Sequence, residues 1–198
     1  MPQRVGAAMR GRRSASLAEA DWSAGPERIS PLAMLRLALY QPDIPQNTGT
    51  LLRMAACLGL AVEIIEPAGF DVSDRHLRRS GLDYLDHVAI TRHRSWAAFS
   101  AWRVQEGIRL VLATTAGALP YTDFAFRDGD CVLMGRESAG VPGAVHAAAD
   151  ARVVVPIREG MRSLNVAVAA AMICGEAIRQ GAGQGTAQGV VLRAGLTP

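Results

Sequence analysis

From Met34 onward, short apolar runs alternate with longer stretches of helical spacing. Leu35–Tyr40 (LRLALY) reads as a strand, and so does Ala61–Glu66 (AVEIIE), which Pro67 ends. His87–Thr91 reads as a short third strand. Arg109–Thr114 (RLVLAT), Asp130–Met134 (DCVLM) and Ala151–Pro156 (ARVVVP) complete the set. Runs this short and this continuously apolar suit strands covered on both faces. Between them, a Pro-punctuated loop at Gln41–Gln46 leads to Asn47, placed here as the cap of a helix that stops at Gly59. A second helix is predicted over Ser95–Gln105. A third, Asn165–Arg179, is Ala-rich and apolar on most faces, so it should lie against the sheet or a partner subunit. Strands alternating with helices predict an α/β fold with a mainly parallel sheet flanked by helices.

Composition sets the limits of that domain. Residues 1–33 are rich in Ala, Arg, Ser, Gly and Pro and read as a flexible extension, or as the product of a start codon set too early. The domain is expected over 34–180, with a loose Gly-rich tail at 181–198. No apolar run approaches the roughly 18 residues that a membrane crossing needs. All 21 basic residues are arginine, and the formal net charge is +3. Residues 1–33 carry five Arg against three acids, which leaves +1 for the rest. Net charge therefore does not identify a nucleic-acid partner, and local clusters must. Two such clusters occur, Arg75, His76, Arg78 and Arg79, then Arg92, His93 and Arg94; each suits RNA phosphates or a solvated charged face. Cys57, Cys131 and Cys174 are far apart and read as reduced core residues, in keeping with a cytoplasmic protein.

The chemistry-bearing residues fall in three loops at strand ends, where α/β proteins place ligands. The dinucleotide fingerprint GxGxxG is absent, and no HxxxH or HExxH pair suggests a metal. The first loop holds Asn47, with Arg53 six residues on; alone they read equally well as a helix cap and a solvated side chain. The second, Gly135 to Pro142, has the form GxExxGxP, with Glu137 between glycines that permit close backbone approach. The third runs from Val155 to Asn165, where Ser163 and Asn165 are also ordinary capping residues. Each loop is weak evidence alone, and their order on a strand–loop–helix frame is stronger.

Together these loops resemble the SpoU-type branch of the SPOUT methyltransferases over about Met34 to Gln180. The motif residues are Asn47 and Arg53, then Gly135, Glu137, Gly140 and Pro142, then Ser163, Leu164 and Asn165. LALYQPDIPQNTG (Leu37–Gly49), IEPAGF (Ile65–Phe70) and LRRSGLDY (Leu77–Tyr84) are similar to the short tRNA 2'-O-methyltransferases of the wobble cytidine or uridine. The resemblance implies a C-terminal trefoil knot, a homodimer and S-adenosylmethionine as cofactor, held at Ala113, Gly135, Val155 and Ser163. It implies tRNA as partner, Arg53 as the catalytic arginine, and Asn47, Glu137 and Asn165 orienting that arginine and the ribose. Methylation of rRNA or of another tRNA position, or a silent RNA-binding module, are the readings beside it. One departure stands out: similar proteins commonly carry Tyr before the Glu of the last helix, where this chain has Gly175.

Overall fold

The structure, a computed structural model, describes residues 35–71, 87–116 and 119–182. Its strands are β1 (Arg36–Tyr40), β2 (Ala61–Ile65), β3 (Ile90–His93), β4 (Leu110–Ala113), β5 (Leu119–Pro120), β6 (Cys131–Met134) and β7 (Ala151–Val154). They form one sheet in the order β3-β2-β1-β6-β4-β7-β5, every pair parallel. The helices are α1 (Pro45–Leu58), α2 (Trp96–Gln105), α3 (Gly143–Ala148) and α4 (Val166–Arg179).

β1 lies between β2 and β6, and both its faces are covered. Leu37 and Leu39 share one core with Leu51, Leu52 and Ala55 of α1 and Ala170, Ile173 and Ala177 of α4. Ala38 and Tyr40 share the other with Phe99 of α2 and Val145 of α3. The result is a helix–sheet–helix sandwich, in which each fully buried Leu or Phe stabilises by about 1.5–3 kcal/mol. Among the buried charges is one within the sheet. Glu63 of β2 is fully buried and is held by Arg36 Nη1 and His93 Nε2, each at 2.8 Å. His93 is in turn covered by the rings of Phe99 and Trp102. Removing one partner would strand a buried charge, typically at a cost of about 3–5 kcal/mol.

Three expectations are corrected. Asn47 does not cap α1: the helix begins two residues earlier at Pro45, and the capping position is Ile44, whose side chain makes no cap bond. Proline at the first helical turn needs no N–H partner, which makes a capping side chain less necessary there. The third strand is Ile90–His93, three residues beyond its expected start, because its polar Thr91 and Arg92 occupy an exposed sheet edge. Cys57 is exposed on α1, whereas Cys131 and Cys174 are buried. Burial pushes the Cys174 thiol up to about 12, so it stays protonated.

Gly175 lies on the exposed face of α4, and a Cβ there would meet nothing within 4 Å. Gly175→Ala is therefore expected to stabilise the chain by about 0.5–1 kcal/mol, read as a rise in thermal midpoint. A lowered midpoint would mean that this face is covered in solution.

Candidate active site

The parallel sheet puts the carboxyl ends of its strands at one edge, and the order reverses at β1 and β6. Such a reversal opens a crevice. Here it is a cavity of about 520 Å3, lined by Ile44 and Asn47 beyond β1, Ala113–Thr115 beyond β4, Gly135–Val141 beyond β6, and Val155 and Ile157 beyond β7. Arg162–Asn165 and the first turns of α4 close it. The volume suits a ligand of nucleoside size.

The loop after β6 is closed on itself. Arg136 N–H donates to Gly140 O at 3.0 Å, and Gly140 N–H donates to Arg136 O at 2.8 Å. Gly140 has φ +64, the left-handed region that glycine occupies most easily. A Cβ on Gly135 would stand 2.9 Å from the Gly140 carbonyl carbon, so the two glycines make the hairpin possible.

That loop interlocks with the segment after β1 through two carboxylates. Asp43 N–H donates to Glu137 Oε2 at 3.1 Å, and Glu137 N–H donates to Asp43 Oδ1 at 3.2 Å. Ser138 Oγ also donates to Asp43. Asn47 Nδ2 donates to Glu137 Oε1 at 3.2 Å, and Asn165 Nδ2 donates to Asn47 Oδ1 at 3.0 Å. Asn165 caps α4 as expected, accepting from Ala167 N–H at 2.9 Å and Val168 N–H at 3.4 Å. A chain of hydrogen bonds thus runs from Asp43 through Glu137 and Asn47 to Asn165, the last three in the cavity wall, and restrains their side chains. Asn47, released from capping, has its amide turned into this chain.

The carboxyls of Asp43 and Glu137 titrate together. Hydrogen bonding with Glu137 holds Asp43 below its usual 3.8, while burial, and then the Asp43 hydrogen bond, push Glu137 above its usual 4.5. The Asp43 contribution to stability is present above 3.8 and is lost as pH falls through its lowered pKa. The Glu137 contribution is present below 4.5 and is lost as pH rises through its raised pKa. Stability of this interlock therefore declines on the alkaline side of the ordinary carboxylate range. Asp43→Asn is expected to cost about 1 kcal/mol and to move that decline to lower pH, because Glu137 loses the neighbour that raises it. Thermal midpoints across pH check this; superimposable profiles for the two proteins would contradict it.

Beyond this interlock, Arg136 reaches the other way. Its Nη2 donates to the Gln41 side-chain oxygen. Gln41 Nε2 donates in turn to Glu66 O at 3.5 Å. Gln41 has φ +45, a left-handed backbone that costs a non-glycine residue about 1–2 kcal/mol.

Of the expected catalytic and cofactor residues, Asn47, Glu137, Asn165, Ala113, Gly135, Val155 and Ser163 all line the cavity. Arg53 does not; it is exposed on α1, about one and two-thirds turns further along than Asn47. Arg75, His76, Arg78 and Arg79 lie outside the described residues. In the second basic cluster, Arg92 Nε bonds Glu66 at 2.7 Å and His93 is buried on Glu63, so His93 is not a surface contact. Asp43 and Arg136 were not expected as site residues. Their only sequence signals are an acid between two prolines and an arginine inside GxExxGxP.

Fold and crevice together define a parallel α/β protein with a candidate ligand site at the switch between β1 and β6. The SpoU rRNA Methylase family matches residues 34–175, and the chain belongs to that family. It is 69% identical over 144 residues to a tRNA (cytidine(34)-2'-O)-methyltransferase of Beijerinckia indica subsp. indica, covering 73% of this chain and 90% of the relative. A solved structure concerned with 2-OH methylation of C/U34 on tRNA is similar at 42% identity and TM-score 0.70, over 76% of this chain and 97% of that one. The SpoU methyltransferase AviRb from Streptomyces viridochromogenes, in complex with the cofactor AdoMet, is similar at 30% identity and TM-score 0.70. That likeness covers 75% of this chain and 61% of AviRb.

Proposed function

We propose that this chain transfers a methyl group from S-adenosylmethionine to the ribose 2'-hydroxyl of the wobble cytidine or uridine of tRNA, in the cytoplasm. The observation that carries the reading is the Glu137–Asn47–Asn165 chain in the wall of a nucleoside-sized cavity. The 69% identical relative named for that reaction supports the substrate.

The residues present fit the cofactor. Met134, Leu164, Val166 and Ile173 give the cavity apolar walls, and the segments at Ala113, Gly135, Val155 and Ser163 bring backbone N–H and C=O groups to it. When bound, the cofactor supplies a methyl group on a sulfonium, ready for in-line displacement. The protein has two tasks: to hold the ribose in line, and to stabilise charge as the 2'-oxygen loses its proton. Asn47, Glu137 and Asn165 present a fixed set of donors and acceptors for the first. Arg53 serves the second, because a guanidinium stays charged at neutral pH and is better suited to stabilising an oxyanion than to taking its proton.

Arg53 faces outward, so this reading places it in the cavity of a partner subunit within a homodimer. Two exposed side chains of α4 support the dimer: Val168 is 49% exposed and Met172 37%, four residues apart on one helix face. The trefoil knot is part of the same reading. The test incubates the protein with methyl-labelled S-adenosylmethionine and total tRNA, then maps the modified nucleotide by mass spectrometry. Label on the wobble ribose is the expected result. Label elsewhere would move the substrate, and none would leave an RNA-binding module.

A further inference from the structure

Among the described residues, the three arginines other than Arg136 that are buried or half-buried are each paired with an acid. Arg36 meets Glu63 at 2.8 Å, Arg103 meets Asp150 at 2.8 Å and Arg109 meets Asp130 at 2.6 Å. Arg136 is half-buried in the cavity wall, yet among the described residues no carboxylate lies within 4.0 Å of its guanidinium. Its hydrogen-bond acceptor is the neutral amide oxygen of Gln41, and its Nε is buried without a partner. The adjacent Glu137 does not compensate it, being engaged by Asn47 and Asp43. A cation so placed calls for an anion. The backbone of Gln41 is held in a left-handed conformation while its amide meets Arg136 and the end of β2, so the guanidinium has a fixed seat.

Direction decides which anion. Gln41 and Glu66 follow β1 and β2, whereas Ala113 and Val155, expected to hold the cofactor, respectively end β4 and follow β7 on the other side of β6. Arg136 thus turns away from the cofactor side, towards the sheet edge where exposed Arg94 follows β3. We infer that Arg136 binds a phosphodiester of the RNA strand beside the ribose being methylated, the guanidinium and the Gln41 amide forming one recognition unit. This rests on the proposed RNA methylation, and it adds a contact that fixes the register of the strand across the cavity.

The test uses the full chain, tRNA and anticodon stem-loop RNAs carrying a neutral methylphosphonate at single positions around the target ribose. Arg136→Gln is expected to raise the KM for tRNA about 10-fold or more, and to reduce the salt slope of RNA binding by about 0.7–0.9. Affinity for S-adenosylhomocysteine, measured by calorimetry, should not change. Arg136→Lys should recover part of the loss. One methylphosphonate next to the target should raise the wild-type protein's KM to that of the Gln variant and leave that variant unaffected. Weakened S-adenosylhomocysteine binding would assign the arginine to the cofactor carboxylate instead. An unchanged KM and slope in an active enzyme would overturn the inference alone. A wild-type protein that methylates no RNA would overturn the functional reading beneath it. Should the Gln variant not fold, the Lys variant and the wild-type methylphosphonate series decide.

Discussion

Arg53→Ala is expected to lower methyl transfer about 100- to 1000-fold while leaving affinity for S-adenosylhomocysteine unchanged. The magnitude is that of removing one preorganised charge from a developing oxyanion. Unchanged affinity is expected because Arg53 is assigned to the 2'-oxygen of the ribose and not to the cofactor, and lies outside the cavity lining of its own chain. The same placement predicts a result that a catalytic arginine within its own cavity could not give. If Arg53 serves the partner's site, inactive Arg53→Ala and inactive Asn165→Ala chains should restore activity when co-expressed. In a mixed dimer one cavity carries both defects and the other neither, so a random mixture recovers about a quarter of the wild-type rate. No recovery from mixed dimers, purified by two different tags, would place Arg53 in its own subunit's site.

Gly135→Ala is the second substitution of large effect. The added Cβ would stand 2.9 Å from one backbone atom of Gly140 and 3.0 Å from another, and backbone cannot rotate away as a side chain tip can. The hairpin must open, breaking the paired Arg136–Gly140 hydrogen bonds and shifting Glu137 from Asp43 and Asn47. Overpacking of this kind costs about 1–3 kcal/mol. The larger consequence is functional, because the loop is both a cavity wall and the support of Glu137. Cofactor affinity and turnover should fall together, each by about 10-fold or more, while the far-UV circular dichroism stays that of a folded α/β protein. Unimpaired binding and turnover would show that the hairpin adjusts without penalty.

How much of this was legible in the chain depends on the range of the interaction. The strands were readable because LALY, VEII and CVLM are buried on both faces and need no alternation. Glu63 inside such a run was the exception, made tolerable by Arg36 and His93 from its two neighbouring strands. Leu119–Pro120 was missed, since two residues carry no period. Asn47 was placed at the correct end of its strand but given a local role, because a cap is what an isolated asparagine most readily explains. Its actual partners, Glu137 and Asn165, are 90 and 118 positions away. Asp43 and Arg136 went unrecognised for the same reason: their meaning lies in contacts 94 and 95 positions distant. The motif residues lining the cavity were identified through family resemblance, which carries such long-range information where periodicity cannot.

The placement of β1 has a consequence for how the chain is made. Its hydrogen-bonding edges are satisfied by β2 on one side and β6 on the other, with Arg36 aligned to both Ala61 and Cys131. β2 follows at once, but Cys131 leaves the ribosome only after about 95 further residues, on the order of 10 s later at ordinary rates of synthesis. Throughout that interval the future centre of the sheet is an apolar edge with unpaired backbone groups, the kind of surface that recruits other strands. A chaperone, or provisional cover from the chain's own helices, would shield that edge until the second half arrives.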